Sequence, residues 1–264
     1  GTPAHVELPA PPLPPPSPPP VPRSLSPPRL ALLSHSGSRG PGAMIAQHYS
    51  ALARRLHPDL PKELAYLAWL DLDKSEGQEY WAAMELMGRF ASANHHIIHA
   101  KIARDLAAMN APILFQVENH HNYAWRETHT ATTDGRAESR ELITPRKGAP
   151  PAGRGVLGLI PGSMAAPGYL VEGLGNPASL NSAAHGAGRQ LSRTKAREST
   201  RWSHLRSTLE AAGVVLLSAG LDESPHAYKD IESVMAAQSD LVRPLARFTP
   251  RLVKMAPDGE RPED

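Results

Sequence analysis

Three short segments hold residues whose types and spacing could do phosphate chemistry, and the richest is NSAAHGAGRQLSR at 181–193. His185 stands ahead of Gly186 and Gly188, which are followed by Arg189 and Arg193 at a spacing of i, i+4. A histidine in a glycine loop, backed by arginines, suits a nucleophile exposed to a phosphorylated substrate. The imidazole can attack phosphorus to form a phosphoramidate, and the guanidinium groups can stabilise charge on the transferring group. An ordinary loop leading into a helix accounts for the same residues equally well.

The segment ENHHNYAWRE at 118–127 puts His120 and His121 side by side. Neutral imidazole is a common transition-metal ligand. Neighbouring side chains on extended backbone point in opposite directions, so one of the pair at most faces a given ion. Two partly buried, hydrogen-bonding histidines are the alternative. The third segment, SHSGSRGPG at 34–42, sets His35 between serines, followed by Gly37, Arg39, Gly40 and Gly42. Glycines let backbone approach a ligand closely, and Arg39 could grip a phosphate bidentately. Many polar loops share that pattern.

Several elements must position these residues. Residues 43–56 are predicted helical, with Met44, Ile45, Tyr49, Leu52 and Leu56 on one face. A longer helix opens at Ser75 and runs to about Met109, with Trp81, Met84, Met87 and Ile97 near one stripe that reads as core. Strands are expected at 113–118, 140–144, 156–160, 169–171, 213–217 and 251–255. Helices are expected at 194–211 and 231–242, the second ended by Pro244. Strands and helices alternate without a clean βαβ period, which predicts a mixed α/β (α+β) fold. Residues 1–29 are different material: they hold nearly half of the 28 prolines and read as an extended or disordered tail, a possible ligand for an SH3-like groove. The globular domain is expected over 30–264.

Composition narrows the class. A hydrophobic fraction of 41% fits a globular protein, and no run of 18 or more apolar residues predicts a membrane span. No secretory leader pattern opens the chain, and the expected compartment is the cytoplasm. Zero cysteines exclude disulfides and thiolate chemistry. A start at Gly1 rather than Met predicts a fragment or processed product. The net charge of +2 is mild, but Arg189, Arg193, Lys195, Arg197, Arg201 and Arg206 crowd one stretch and Arg243, Arg247, Arg251 and Lys254 another. Such clusters either neutralise phosphates or form solvated helix faces.

Taken together and in order, HSGSRGPG at 35–42, EGQEYWAAMELMGRFASANH at 76–95, ENHHNYAW at 118–125, PRKGAP at 145–150, GLIPGSM at 158–164, GNPASLNSAAHGAGRQLSR at 175–193 and AYKDIESVMAAQSDLV at 227–242 resemble the RtcB family of RNA ligases. The resemblance covers roughly residues 31–256. It implies a mixed α/β architecture around a deep metal pocket and a ligase dependent on GTP and Mn2+. Such an enzyme joins RNA ending in a 3′-phosphate or 2′,3′-cyclic phosphate to RNA with a 5′-hydroxyl, as in tRNA splicing and RNA repair. By the resemblance, His185 is the histidine that becomes guanylylated, and His35 and His121 are metal ligands. Ser163, Met164, Asn181, Gly186 and Gly188 surround the guanylate, and Lys254 touches the guanine base. Arg39, His120, Arg189 and Arg193 meet the RNA.

The pattern is incomplete. The family's Asp and Cys in a DxGCG-type motif, and an Asn–His pair ahead of HSGSRG, have no counterpart, so His35 and His121 remain as two ligands for one ion. Weak or absent activity of the chain alone, with exposed apolar surface, is therefore the expectation. A non-catalytic RNA- or nucleotide-binding remnant and a metal-dependent phosphoesterase using the same histidines are the competing readings.

Overall fold

A computed structural model describes residues 29–108, 113–133 and 136–257. The proline-rich 1–28, the expected helix end at Met109 and the charged tail 258–264 lie outside the described residues. Two helices come first, α1 (Arg39–Leu56) and α2 (Ser75–Ala108), joined by a 3-10 turn at Lys62–Leu67. Arg54 and Arg55 complement the carbonyl end of α1, which stops just before Pro58. At the start of α2, Gly77 is required because a Cβ there would sit 2.0 Å from the Asp71 carbonyl oxygen. The buried positions on the two helices are small or polar: Ala53 on α1, and Gly77, Ala91 and His95 on α2. Large apolar groups such as Met44, Leu86, Phe90 and Ile97 stay exposed.

A long antiparallel hairpin follows, β1 (Asn122–Thr133) with β2 (Arg136–Lys147), in the register Asn122↔Lys147 to Thr133↔Arg136. A three-stranded antiparallel sheet, in the order β3-β4-β6, is built from β3 (Leu157–Ile160), β4 (Gly168–Gly173) and β6 (Val242–Phe248). Between its strands run α3 (Arg193–Ser199), α4 (Trp202–Ala211), β5 (Val215–Ser218) and α5 (Ile231–Ala237). The last strand, β7 (Leu252–Lys254), pairs in parallel with β5. No described helix is long and apolar enough to cross a membrane.

Two apolar clusters hold the second half together. One joins Ile160, Tyr169 and Val171 of the sheet to Ile231 and Met235 of α5, with Ala183 and Ala187 from the loop that carries His185. The other packs Met164 against Leu205 and Leu209 of α4, with Val214 and Ala219. The His185 loop is thus pinned to the core by the two small residues on either side of the histidine.

The mixed α/β architecture agrees with expectation, but several elements differ. Residues 113–118 form no strand, and just beyond them it is the side chain of Asn119, not extended backbone, that pairs with β3. Its Nδ2 donates to the Leu157 carbonyl and its Oδ1 accepts from Leu159 N, at 3.0 and 2.7 Å. The helix expected at 194–211 is broken at Thr200–Arg201, where Ser199 and Thr200 turn their hydroxyls to the His226 ring. The helix from 231 ends at Ala237, and Pro244 lies within β6, an edge strand, where a missing N–H is tolerated. Truncating the wholly buried Ile160 to Ala is expected to destabilise the protein by about 3 kcal/mol, read as a lower urea midpoint with an unchanged slope.

Candidate active site

Three of the sequence-predicted histidines meet. His35 Nε2 lies 3.2 Å from His121 Nε2, their rings edge to face at 4.9 Å between centroids. The His121 ring stacks on His185 at 4.9 Å and 15°. Each histidine arrives from a different element. His35 sits in the loop before α1, clamped by one face of α2. Asn94 Nδ2 donates to Ser36 Oγ and the Gly37 carbonyl, His95 Nε2 donates to the Ser36 carbonyl at 2.8 Å, and His99 Nε2 meets Ser34 Oγ at 2.7 Å. His121 immediately precedes β1, and its carbonyl accepts from Ala149 N.

His185 is set by the residues just past β2. Its backbone N–H donates to the Gly148 carbonyl at 3.3 Å, and Ala184 N donates to Gln238 Oε1 at 2.9 Å. Gly148 has φ +65, and a Cβ at that position would stand 3.0 Å from Cε1 of the His185 ring. No side chain other than glycine's fits there without moving the ring. Upstream in the same loop, Leu180 and Asn181 both hold φ 51, a left-handed pair that costs energy for side-chain-bearing residues. Asn181 is tied through its carbonyl to Ala152 N at 2.6 Å and through its N–H to the Asn176 carbonyl. Gly186 is buried against the Pro161 carbonyl, and Gly188 takes φ +70.

His120 faces away from this row, toward Glu118 at 3.5 Å. Burial lowers its pKa below the ordinary imidazole value, against the pull of Glu118. Glu118 also meets His95 Nδ1 at 3.2 Å, so one carboxylate links α2 to the His120–His121 segment. Arg39, with φ 55, is exposed at the start of α1.

Other expected site residues lie differently. Met164 is 2% exposed in the second core cluster, so its side chain is packing and only its backbone could reach a ligand. Ser163 Oγ accepts from Ala165 and Ala166 N, which closes a turn. Arg189 lies over the Tyr228 ring and donates to the Asp222 carbonyl at 2.6 Å, while Arg193 pairs with Asp222 and Glu223. Those carboxylates already neutralise both guanidinium groups, in place of the open cationic surface expected. Burial and the hydrogen bond to Glu223 push the Tyr228 hydroxyl pKa up. Lys254 is exposed on the β5–β7 sheet. A cavity of about 700 Å³ lined by Trp202, Arg206, Leu209 and Leu216 includes none of the three histidines.

The metal question turns on donors. Two imidazole nitrogens bound to one divalent ion at about 2.1 Å, roughly at right angles, stand about 3 Å apart; the His35–His121 separation of 3.2 Å fits that bite. Among the described residues no group of three or more His, Cys, Asp or Glu side chains is arranged to hold one metal ion. The pair can therefore supply two ligands to an ion whose other positions go to water or substrate oxygens.

Sequence reasoning missed the supports. Arg146, Glu127 and His129 form a buried network beneath the hairpin, with Arg146 Nη1 and Nη2 on Glu127 at 2.7 and 2.8 Å and His129 Nε2 on Glu127 at 2.9 Å. The available signal was the alternation Trp125, Glu127, His129, a period of two written in non-aliphatic residues. Burial raises the Glu127 pKa, but hydrogen bonds from Arg146 and His129 outweigh it and the net shift is down from 4.5. A depressed carboxylate gives stability that is present above its ordinary value and lost as pH falls through its folded-state value. The melting midpoint should therefore fall on acidification from about pH 5 to about pH 3, and Glu127→Gln should start lower and fall less. Gly148→Ala is expected to cost about 1–2 kcal/mol in urea denaturation and to move the His185 ring resonances in proton NMR.

Comparison with known proteins identifies the family. A family model described as tRNA-splicing ligase RtcB matches residues 23–255. The RNA-splicing ligase RtcB of Escherichia coli is 36% identical over 227 residues, covering 80% of this chain and 52% of the relative. The tRNA-splicing ligase RtcB of Nanoarchaeum equitans is 33% identical over 253 residues, covering 84% and 51%, and the RNA-splicing ligase RtcB of Mycobacterium tuberculosis is 32% identical over 258 residues, covering 87% and 57%. The chain spans about half the length of the curated relatives it matches. The family match takes in all three segments that bring His35, His121 and His185 together, and the chain belongs to the tRNA-splicing ligase RtcB family.

Proposed function

We propose that this chain carries the nucleophile face of a GTP- and Mn2+-dependent RNA ligase, with His185 as the residue that accepts GMP. The observation that supports this most is the stacking of His185 on His121, whose Nε2 lies 3.2 Å from that of His35. A candidate nucleophile thus adjoins a two-imidazole bite suited to a divalent ion. Bound by His35 and His121, such an ion would neutralise charge on the nucleotide phosphates and favour departure of pyrophosphate.

The chain's own residues then divide the work. His185, in its neutral form, donates its lone pair to the α-phosphorus of GTP; an N–P bond forms and the bond to the pyrophosphate oxygen breaks. An oxygen of the RNA 3′-phosphate attacks the same phosphorus, the N–P bond breaks, and the imidazole is restored. The 5′-hydroxyl of the second RNA then attacks the capped 3′-phosphate and releases GMP. A bare phosphate is a poor electrophile; capping supplies the leaving group. Gly188, with open space where a side chain would stand, leaves room for phosphate near His185, and Asn181, Ser163 and the backbones of Met164 and Gly186 border the nucleotide. Lys254 is assigned to the guanine base. Arg39 and His120 are the foremost RNA contacts, because phosphate at Arg189 or Arg193 must compete with Asp222 and Glu223.

A second reading, nucleotide or RNA binding without turnover, is favoured by the two-ligand donor set. Labelled GTP with Mn2+, followed by denaturing gel and mass analysis, separates the two. The ligase reading expects a GMP adduct that disappears in His185→Ala and falls at least tenfold in His121→Ala. Folded wild-type chain that binds GTP and forms no adduct would leave the binding reading.

A further inference from the structure

Arg146 is the most fully engaged charge near the site. Its side chain is 2% exposed and lies over the Trp125 ring, 4.9 Å from the ring centre. Besides its bidentate pair with Glu127, Nε donates to Ser182 Oγ at 2.8 Å and Nη2 to the Leu180 carbonyl at 2.9 Å. One guanidinium thus joins the hairpin to the segment just ahead of His185. Two residues along, the Gly148 carbonyl accepts from His185 N. Residues 146–148 therefore hold the His185 loop at both of its ends.

We propose that Arg146 is a positioning residue for His185, fixing through Leu180 and Ser182 where the imidazole stands against His121; the catalytic side of this rests on reading His185 as the nucleophile. Leu180 and Asn181 share φ 51, a conformation that side-chain-bearing residues leave unless neighbouring contacts hold them. At Leu180 these contacts are its N–H to the Pro177 carbonyl and, on its own carbonyl, the hydrogen bonds from Arg146 Nη2 and Ser182 Oγ, itself held by Arg146 Nε. From Ser182 the chain reaches His185 through only two residues, Ala183 and Ala184, so a loop that relaxes at 180–182 shifts the backbone that carries the ring. Charge alone cannot do this. A lysine at 146 would keep the positive charge, but its single nitrogen cannot serve both Glu127 oxygens, the Ser182 hydroxyl and the Leu180 carbonyl from one plane.

The test uses the full chain with Arg146→Lys and, as a milder variant that removes only the Ser182 hydroxyl between Arg146 Nε and the Leu180 carbonyl, Ser182→Ala. GMP-adduct formation is timed across GTP concentrations in Mn2+, and the imidazole signals are followed by 15N–1H NMR, with His185 assigned from His185→Ala. Arg146→Lys is expected to slow adduct formation at saturating GTP by about tenfold or more, with the half-saturating GTP concentration moved less than about threefold. The His185 ring signals should shift, while those of surface His48 and His204 stay in place. Ser182→Ala should show a smaller change in the same sense. A residue that only stabilised the fold would lower the melting midpoint without separating rate from affinity. Wild-type rates and an unshifted His185 in both variants would overturn the proposal, and Ser182→Ala alone decides it if Arg146→Lys fails to fold. If the wild-type chain forms no adduct, the nucleophile reading fails and the NMR shift alone decides the positioning role.

Discussion

A guanidinium taken out of water costs several kcal/mol unless its charge and its N–H groups all find partners. At Arg146 that requirement shapes everything around it. Arg146 stands opposite Tyr123 in the hairpin register, whereas Glu127 stands opposite Leu142. To reach Glu127 the arginine must run along the hairpin face, across the Trp125 ring, and this direction turns its remaining donors toward Leu180 and Ser182. The carboxylate needs further donors of its own and takes one from His129, which in turn meets Thr144. A polar layer thus fills the place where an aliphatic core would be expected beneath a two-stranded sheet. An aliphatic layer would have buried the hairpin as well, but without the direction that hydrogen bonds impose.

The same logic, applied with backbone groups, assembles the histidines. Imidazoles attract one another weakly, so the row His35–His121–His185 is held from behind. Asn94, His95 and His99 hold the carbonyls and hydroxyls around His35. The hairpin base holds the backbone at His121 and His185 through Ala149 and Gly148. Gly148 does this at φ +65, which brings its backbone beneath the His185 ring with no side chain between. The three rings remain at the surface or half-buried, where a substrate can reach them.

How much of this the sequence discloses depends on what kind of residue carries the signal. Both long helices were legible because their apolar residues repeat at helical spacing. Strands β3 and β4 were legible as compact apolar runs. Strand β1 was not, because its inward positions are Trp125, Glu127 and His129, and a rule that counts aliphatic alternation passes over them. The break at Thr200 depends on His226, a partner twenty-six residues away, and no local pattern encodes it. At the site, side-chain types and loop glycines pointed to His35, His121 and His185. Arg189 and Arg193 were harder, since positive charge reads alike whether it faces solvent or a carboxylate. Only the fold brings Asp222 and Glu223 to them.

Packing is uneven along the chain, and that bears directly on the imidazole bite. The portion from Ala152 to Val242 contains both apolar clusters, so β3, β4, α4 and α5 are fixed by burial. The helical portion buries only small or polar groups and leaves Tyr66, Leu67, Trp69, Phe90 and Ile97 exposed. His35 belongs to that portion. Its distance from His121 is set by a handful of specific contacts between α2 and residues 118–126. These are Glu118 shared by His95 and His120, Arg126 over the Trp81 ring at 4.8 Å, and Tyr123 against Gly88, where a Cβ would come within 2.6 Å. Contacts of this kind are directional but individually modest, and local opening is easiest where little apolar area is buried. His185 is therefore the member seated on the packed core, and His35 is the member held in place only by such directional contacts.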